Sequence, residues 1–249
     1  MKKALIICML LCSYFIYAQN GINIERTPMS QNDFRNFIIQ KYKTFESQKS
    51  EKKFPKFKMN DLKELLSYVP FEEDGKFFIS AVRPMEGMDK YKIYDKAYQA
   101  IVDMFVNAKD VIQMNDKNTG IIICKGTTSG IFSFKDFLIG IISTTQNVNF
   151  TMKIQIKGGR YKIDIYNIEL EFMEYAQSLG SGPIEIMLSP KYYTMTYAAD
   201  GLGVSENSKT NSNNVNLQTQ LLISAMSALY NIEFGIFKKM SSAKNSDNW

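Results

Sequence analysis

The strongest pattern in the chain is an alternation of apolar and polar residues that ends at Gly158-Gly159. Every second residue from Val148 to Ile156 is apolar and each residue between them is polar, which predicts a strand with one buried and one wetted face. Two consecutive glycines favour a tight hairpin turn. The predicted register pairs Lys157 with Arg160, Ile156 with Tyr161, Gln155 with Lys162, Ile154 with Ile163, Lys153 with Asp164 and Met152 with Ile165. The apolar set changes face near Tyr166-Asn167, which predicts a bulge there.

Helical spacing of apolar residues marks four further segments. Ser30, with Asp33 three residues on, predicts the start of a helix with an apolar face. Asp89 predicts the cap of another, running to about Asn107. The predicted inward residues are Phe34, Phe37, Ile38, Tyr42 and Phe45 in the first helix and Ile93, Ala97, Ile101, Met104 and Ala108 in the one capped by Asp89. A short helix is expected over Asp61–Val69 and a long packing helix over Val215–Phe237.

Short β-rich runs separate these helices. Strands are expected at Phe77–Val82, Val111–Met114, Ile121–Lys125 and Ile184–Leu188, with Gly126 ending the third. The polar stretch Asp200–Asn214 predicts a mobile loop. Together the pattern predicts an α+β fold with an N-terminal helical region.

The first 18 residues have the layout of a bacterial secretory signal peptide. Lys2 and Lys3 precede an almost wholly apolar run, and Ala18 is a small residue before Gln19. This layout predicts cleavage between Ala18 and Gln19 and export to the periplasm, envelope or medium. The expected organisation is a signal peptide over 1–18, a helical basic region over 19–70, an α+β domain with the long helix over 71–240, and a tail over 241–249.

Composition narrows the chemistry. The formal net charge is +5, of which Lys2 and Lys3 supply two, so the expected mature chain is only mildly basic and no nucleic-acid partner is expected. The chain has no histidine, which excludes histidine-based triads and the usual zinc ligand. Cys124 would be the lone mature cysteine and is expected to be a buried, inert thiol. We therefore expect no cofactor, metal site or catalytic residue.

Several blocks, in a fixed order, resemble a family of secreted bacterial proteins, a domain of unknown function with a TBP-like fold. The blocks are Tyr94–Ala97, Asp110–Gln113, Gly120–Thr127, Asn147–Ile154 and Gly159–Lys162, within about residues 77–170. The resemblance implies a helix packed on a curved antiparallel sheet in a strand–helix–strands–helix order. The expected fold is therefore a TBP-like α+β fold, a curved antiparallel sheet with helices packed on one face, plus the N-terminal helical region. It implies no activity.

Two surfaces are candidates for binding. The wetted sheet face carries Lys153, Gln155, Lys157, Lys162 and Asp164. The second is the apolar stretch Ile131–Ile142, whose candidate contacts are Phe134, Phe137, Leu138 and Ile141. That stretch is either core or an exposed patch that meets a membrane surface or an envelope protein.

Two patterns that suggest enzymatic sites have simpler readings. Lys125–Gly130 has its lysine before the glycine, so it departs from the phosphate-binding loop and favours a strand end. Glu169 and Glu171 share a strand face, and paired carboxylates can carry out acid–base chemistry on sugars. Two exposed glutamates on a sheet face are usually only solvated, however. The sequence thus predicts a secreted or envelope-associated protein that binds or scaffolds. The alternatives are a histidine-free hydrolase of envelope glycans and, against the low charge, a nucleic-acid-binding protein.

Overall fold

The computed structural model describes residues 27, 29–50, 56–68, 77–136, 140–176, 187–194 and 211–242. Its helices are α1 (Gln31–Ser50), α2 (Met59–Tyr68), α3 (Lys90–Met104), α4 (Ala108–Val111) and α5 (Asn211–Ser242). Its strands are β1 (Ile79–Pro84), β2 (Ile112–Asp116), β3 (Ile121–Asp136), β4 (Gly140–Lys157), β5 (Arg160–Ala176) and β6 (Met187–Thr194). The predicted α+β class is confirmed.

The six strands form one antiparallel sheet, in which five follow the order β1-β5-β4-β3-β2 and β6 pairs with β5. β5 is long enough to hold two partners on the same edge: β1 pairs with residues 160–165 and β6 with residues 169–176. β3 and β4 pair along sixteen positions, from Ile121 opposite Gln155 to Asp136 opposite Gly140. The sheet is therefore much longer along its central strands than at β1 and β2.

The hairpin at Gly158-Gly159 has the predicted register. Lys157 faces Arg160, Ile154 faces Ile163 and Lys153 faces Asp164. Gly159 in the turn has a φ of +74°, a left-handed conformation that glycine adopts without a steric penalty. The predicted bulge is also present, because the register shifts between Asn149 and Thr151. Asn167 at this bulge has φ +50°, a left-handed conformation that asparagine adopts more readily than most residues.

One face of the sheet and the helices enclose the core. Val148, Phe150, Met152, Ile154 and Ile156 are all buried. From the same face, Ile122, Cys124, Tyr161, Ile163, Ile165, Ile168 and Leu170 complete the sheet's contribution. The apolar alternation thus turns one side chain in two towards the helices, as the sequence predicts.

The helix caps follow the sequence signals. The amide of Asp33 donates to Ser30 Oγ at 3.1 Å, and Ser30 Oγ donates to Asp33 Oδ2 at 2.6 Å. The amides of Tyr91 and Lys92 donate to Asp89 Oδ1 at 2.8 and 2.9 Å. These bonds satisfy helix amides that would otherwise have no partner.

The N-terminal helices share the core of the sheet domain. The Phe34 ring of α1 lies 6.5 Å from the Phe77 ring and 6.3 Å from the Tyr230 ring, centroid to centroid. Leu62, Leu65 and Leu66 of α2 are buried in the same cluster. α1 and α2 are therefore integral to the fold.

A close approach holds α5 against β3 and β4. Gln146 Nε2 donates to Leu221 O and to Ser224 Oγ, each at 2.8 Å. Gly130 faces Gln146, and a Cβ on it would lie 2.8 Å from Ser224 Oγ. Among the described residues, Thr219–Ser242 of α5 is long and apolar enough to be a membrane-span candidate. Of its most apolar 18-residue segment, however, 67% is buried inside the protein. Its contacts with the sheet are those of a core helix.

β3 differs from the sequence prediction because it does not end at Gly126. It continues through Gly126 and Gly130 to Asp136. A Cβ on Gly126 would lie 2.9 Å from the Phe150 ring and 3.2 Å from the Phe105 ring. The glycine therefore makes room for two aromatic side chains within a continuous strand.

Other boundaries also differ. α3 ends at Met104, because Phe105 is extended with φ −111° and ψ 125°. β1 includes Pro84, which is tolerated because β1 is an edge strand. The structure places β6 at Met187–Thr194, later than expected, and α5 runs from Asn211, inside the predicted loop, to Ser242, inside the predicted tail. The signal segment 1–18 and residues 200–210 lie outside the described residues.

Candidate functional site

The side of the sheet away from the core carries no helix among the described residues, and we call it the open face. The register places its side chains in rows that cross the strands. Starting at the Gly158-Gly159 turn, the rows are Pro84–Arg160–Lys157, then Val82–Lys162–Gln155–Ile121, then Ser80–Asp164–Lys153–Ile123, then Tyr166–Thr151–Lys125. Adjacent strands lie about 4.8 Å apart, so residues in one row are close neighbours.

All five predicted binding residues lie on the open face. Lys157 and Lys162 are exposed, and Lys153, Gln155 and Asp164 are half-buried. The ion pair differs in one respect from the sequence expectation. Asp164 is opposite Lys153, but its carboxylate accepts from Lys162 Nζ at 2.9 Å and from Ser80 Oγ at 2.7 Å.

A depression of about 330 Å³ occupies the turn end of the open face, and we call it the corner pocket. Its lining consists of Val82, Gln155, Lys157, Arg160, Tyr161 and Lys162. Arg160 was not among the predicted binding residues. Its place opposite Lys157 in the predicted register was the signal that could have identified it.

A larger cavity, of about 760 Å³, lies where the Phe105–Val111 connection passes β3. It extends past β4 to the bulge at Asn167 and Ile168. Thr127 Oγ1 donates to Asn149 Oδ1 at 2.7 Å in its lining. The cavity was not predicted, because it depends on the bulge and on how the end of α3 is placed.

A buried ion pair links the sheet to α5. Arg83 Nε and one terminal nitrogen donate to the two carboxylate oxygens of Glu233 at 2.9 and 3.0 Å. The Arg83 guanidinium also lies 4.8 Å from the centre of the Phe237 ring. Burial, reinforced by the Glu233 charge, raises the pKa of Tyr161 and of Tyr230. The Arg83–Glu233 pair therefore joins β1 to α5.

Cys124 is fully buried, as predicted, and burial raises its thiol pKa from 9.0 to about 12. We expect the native thiol to resist alkylation by iodoacetamide at pH 8 and to react after denaturation, because only the thiolate is nucleophilic. The unfolded chain releases this proton near pH 9.0 and the folded chain only near 12, so unfolding becomes easier as pH rises between them. Mass spectrometry of the alkylated protein and denaturation at pH 8 and 10.5 test this. Rapid native modification would contradict it.

The candidate contacts of the apolar stretch Ile131–Ile142 lie only partly within the described residues. Phe134 lies in β3 and Ile141 in β4, whereas Phe137 and Leu138 lie outside the described residues. Glu169 is exposed. No group of three or more potential metal ligands occurs among the residues described.

Part of the chain matches a known protein family. Residues 80–171 match the model of a family described as a domain of unknown function (DUF4468) with TBP-like fold, which confirms the sequence resemblance. A search of curated proteins gives no match.

Two solved structures are similar to the chain. A TBP-like protein from Parabacteroides distasonis ATCC 8503 is 15% identical, with a TM-score of 0.48, over 70% of this chain and 97% of that one. A DUF4468 family protein from Bacteroides ovatus ATCC 8483 is 17% identical, with a TM-score of 0.42, over 72% of this chain and 92% of that one.

Proposed function

We propose, on the premise that residues 80–171 form a DUF4468 domain with a TBP-like fold, that this protein is an exported, non-catalytic binding module. In this proposal the open face is the contact surface, and the partner is a component of the bacterial envelope. The layout of residues 1–18, with two lysines, an apolar run and Ala18, supports export.

The observation that carries this proposal is the one-sided sheet. Helices cover one face completely enough to bury its apolar residues, while the open face presents Lys125, Lys153, Lys157, Arg160 and Lys162 against Asp116, Asp164 and Glu169. Half-buried Ile121 and Ile123 lie between these charges. A broad, mixed surface with excess positive charge suits an acidic partner better than it suits a reaction that needs an enclosed site.

The test uses charge reversal in the middle of the open face. We expect Lys125→Glu combined with Lys153→Glu to weaken sedimentation of the purified mature protein with isolated envelope fractions at least tenfold, because both changes put like charge against an acidic partner. Lys43→Glu with Lys92→Glu makes the same charge change on α1 and α3, where both lysines are exposed. This control should retain binding.

If the two double variants bind the envelope fractions equally well, the open face is not the contact surface. The export part has its own measurement, the mass of the mature N-terminus in protein recovered from the periplasm or medium. It should begin at Gln19, and an intact Met1 would contradict export with cleavage.

A further inference from the structure

The corner pocket brings together three positively charged side chains, only one of which is in an ion pair among the described residues. Arg160 lies directly opposite Lys157, and Lys162 lies two residues along the same strand and points to the same face. Lys162 pairs with Asp164 at 2.9 Å. Among the described residues, Lys157 and Arg160 have no ion-pair partner. Two like charges directly opposite on adjacent strands destabilise a sheet, so the arrangement costs stability unless an anion lies between them.

We propose that the corner pocket binds a phosphate group carried on a small polar body such as glycerol or a sugar. This inference rests on the proposed function and names the ligand chemistry of part of the same face. The Arg160 guanidinium supplies a planar pair of N–H donors that matches two phosphate oxygens. The Lys157 ammonium supplies a second charge from the neighbouring strand.

The remaining lining suits the group that carries the phosphate. Gln155 lies opposite Lys162 and can donate from its amide, and Val82, which is 58% exposed, forms an apolar wall on the other side of Lys162. A volume of about 330 Å³ exceeds what a phosphate fills and lies at the lower end of small-ligand sites. A phosphoglycerol or sugar phosphate therefore fits better than an extended polyanion.

The first experiment titrates the mature protein with inorganic phosphate and with glycerol 3-phosphate, against sodium chloride at matched ionic strength. We expect backbone amide NMR shifts confined to Val82 and residues 155–162, which line the pocket. We also expect a higher melting temperature, since the anion relieves the Lys157–Arg160 repulsion. Lys157→Gln with Arg160→Gln should weaken binding at least tenfold. Lys43→Gln with Lys92→Gln should change it less than twofold.

Two further comparisons identify the source of the phosphate and the role of geometry. Sedimentation with phosphatidylglycerol vesicles, against phosphatidylcholine vesicles, distinguishes a lipid headgroup from a soluble ester. Binding to the vesicles alone, to the esters alone or to both supports the site, provided that the Lys157/Arg160 variant loses it. Arg160→Lys keeps the charge and loses the paired donors. The affinity of this variant for glycerol 3-phosphate should therefore lie between the affinities of wild type and of the double variant.

The proposal is overturned if inorganic phosphate and glycerol 3-phosphate bind no more tightly than chloride and phosphatidylglycerol vesicles bind no more tightly than phosphatidylcholine vesicles. It is also overturned if the Lys157/Arg160 variant binds as wild type does. Such a result would overturn the phosphate site alone, because the proposed function has its own test. The Lys125/Lys153 charge reversal changes other rows of the open face, so its loss of envelope binding would still support the open face as the contact surface.

Discussion

Replacing Glu233 by alanine is expected to lower the free energy of unfolding by about 3–5 kcal/mol, the cost of breaking a buried ion pair by removing one partner. The Glu233 side chain is 1% exposed and that of Arg83 18%. The substitution leaves the guanidinium largely buried beside the Phe237 ring with no carboxylate to accept its hydrogen bonds. Chemical denaturation followed by circular dichroism measures the loss.

A surface ion pair provides the matched control. Lys41 Nζ lies 2.7 Å from Glu64 Oε2, a contact as short as that in the buried pair, but the Glu64 side chain is 44% exposed. Glu64→Ala should cost under about 1 kcal/mol, because solvent screens the pair and rehydrates the lysine. Similar losses for Glu233→Ala and Glu64→Ala would contradict the argument from burial.

A double replacement separates the cost of a lone charge from the net value of the pair. Arg83→Met combined with Glu233→Leu removes both charges and keeps apolar volume between β1 and α5. We expect it to recover most of the stability lost in Glu233→Ala, because the penalty arises from the unpaired guanidinium. If the double variant is as unstable as the single one, the charges themselves are needed to place α5.

Replacing Ile154 by alanine is expected to cost about 2–5 kcal/mol, as for a large-to-small change in a core. Ile154 is 0% exposed and lies between Ile122 on β3 and Ile163 on β5. Truncation removes contacts with both neighbours and leaves a cavity that a sheet bonded on both edges of β4 cannot easily close. Urea denaturation, monitored by circular dichroism, gives the difference.

The next residue in the chain provides the control for this change. Gln155 points to the open face and is half-buried, so Gln155→Ala should cost under about 0.5 kcal/mol, as most surface substitutions do. A register slip of one residue would exchange the environments of these two side chains. Equal losses at both positions would therefore show that the assigned face is wrong.

The sequence by itself determined those features whose specifying residues lie close together along the chain. The alternation from Val148 to Ile156 and the Gly158-Gly159 turn specify the hairpin register, because a strand has a side-chain period of two and a two-residue turn leaves one pairing. The caps at Ser30 and Asp89 are local for the same reason, since a cap bonds to amides two or three residues away. The register also placed Lys153, Gln155, Lys157, Lys162 and Asp164 on one face.

The tertiary structure alone decided features that depend on distant residues. β3 passes through Gly126 because the Phe105 and Phe150 rings fill the space of its missing side chain, and one of those rings comes from the end of a helix. Arg83 and Glu233 are 150 residues apart, so the residues around either one do not indicate that the two side chains pair. The corner pocket likewise needs β1 beside β5, since strand order follows from long-range burial, which no short sequence pattern encodes.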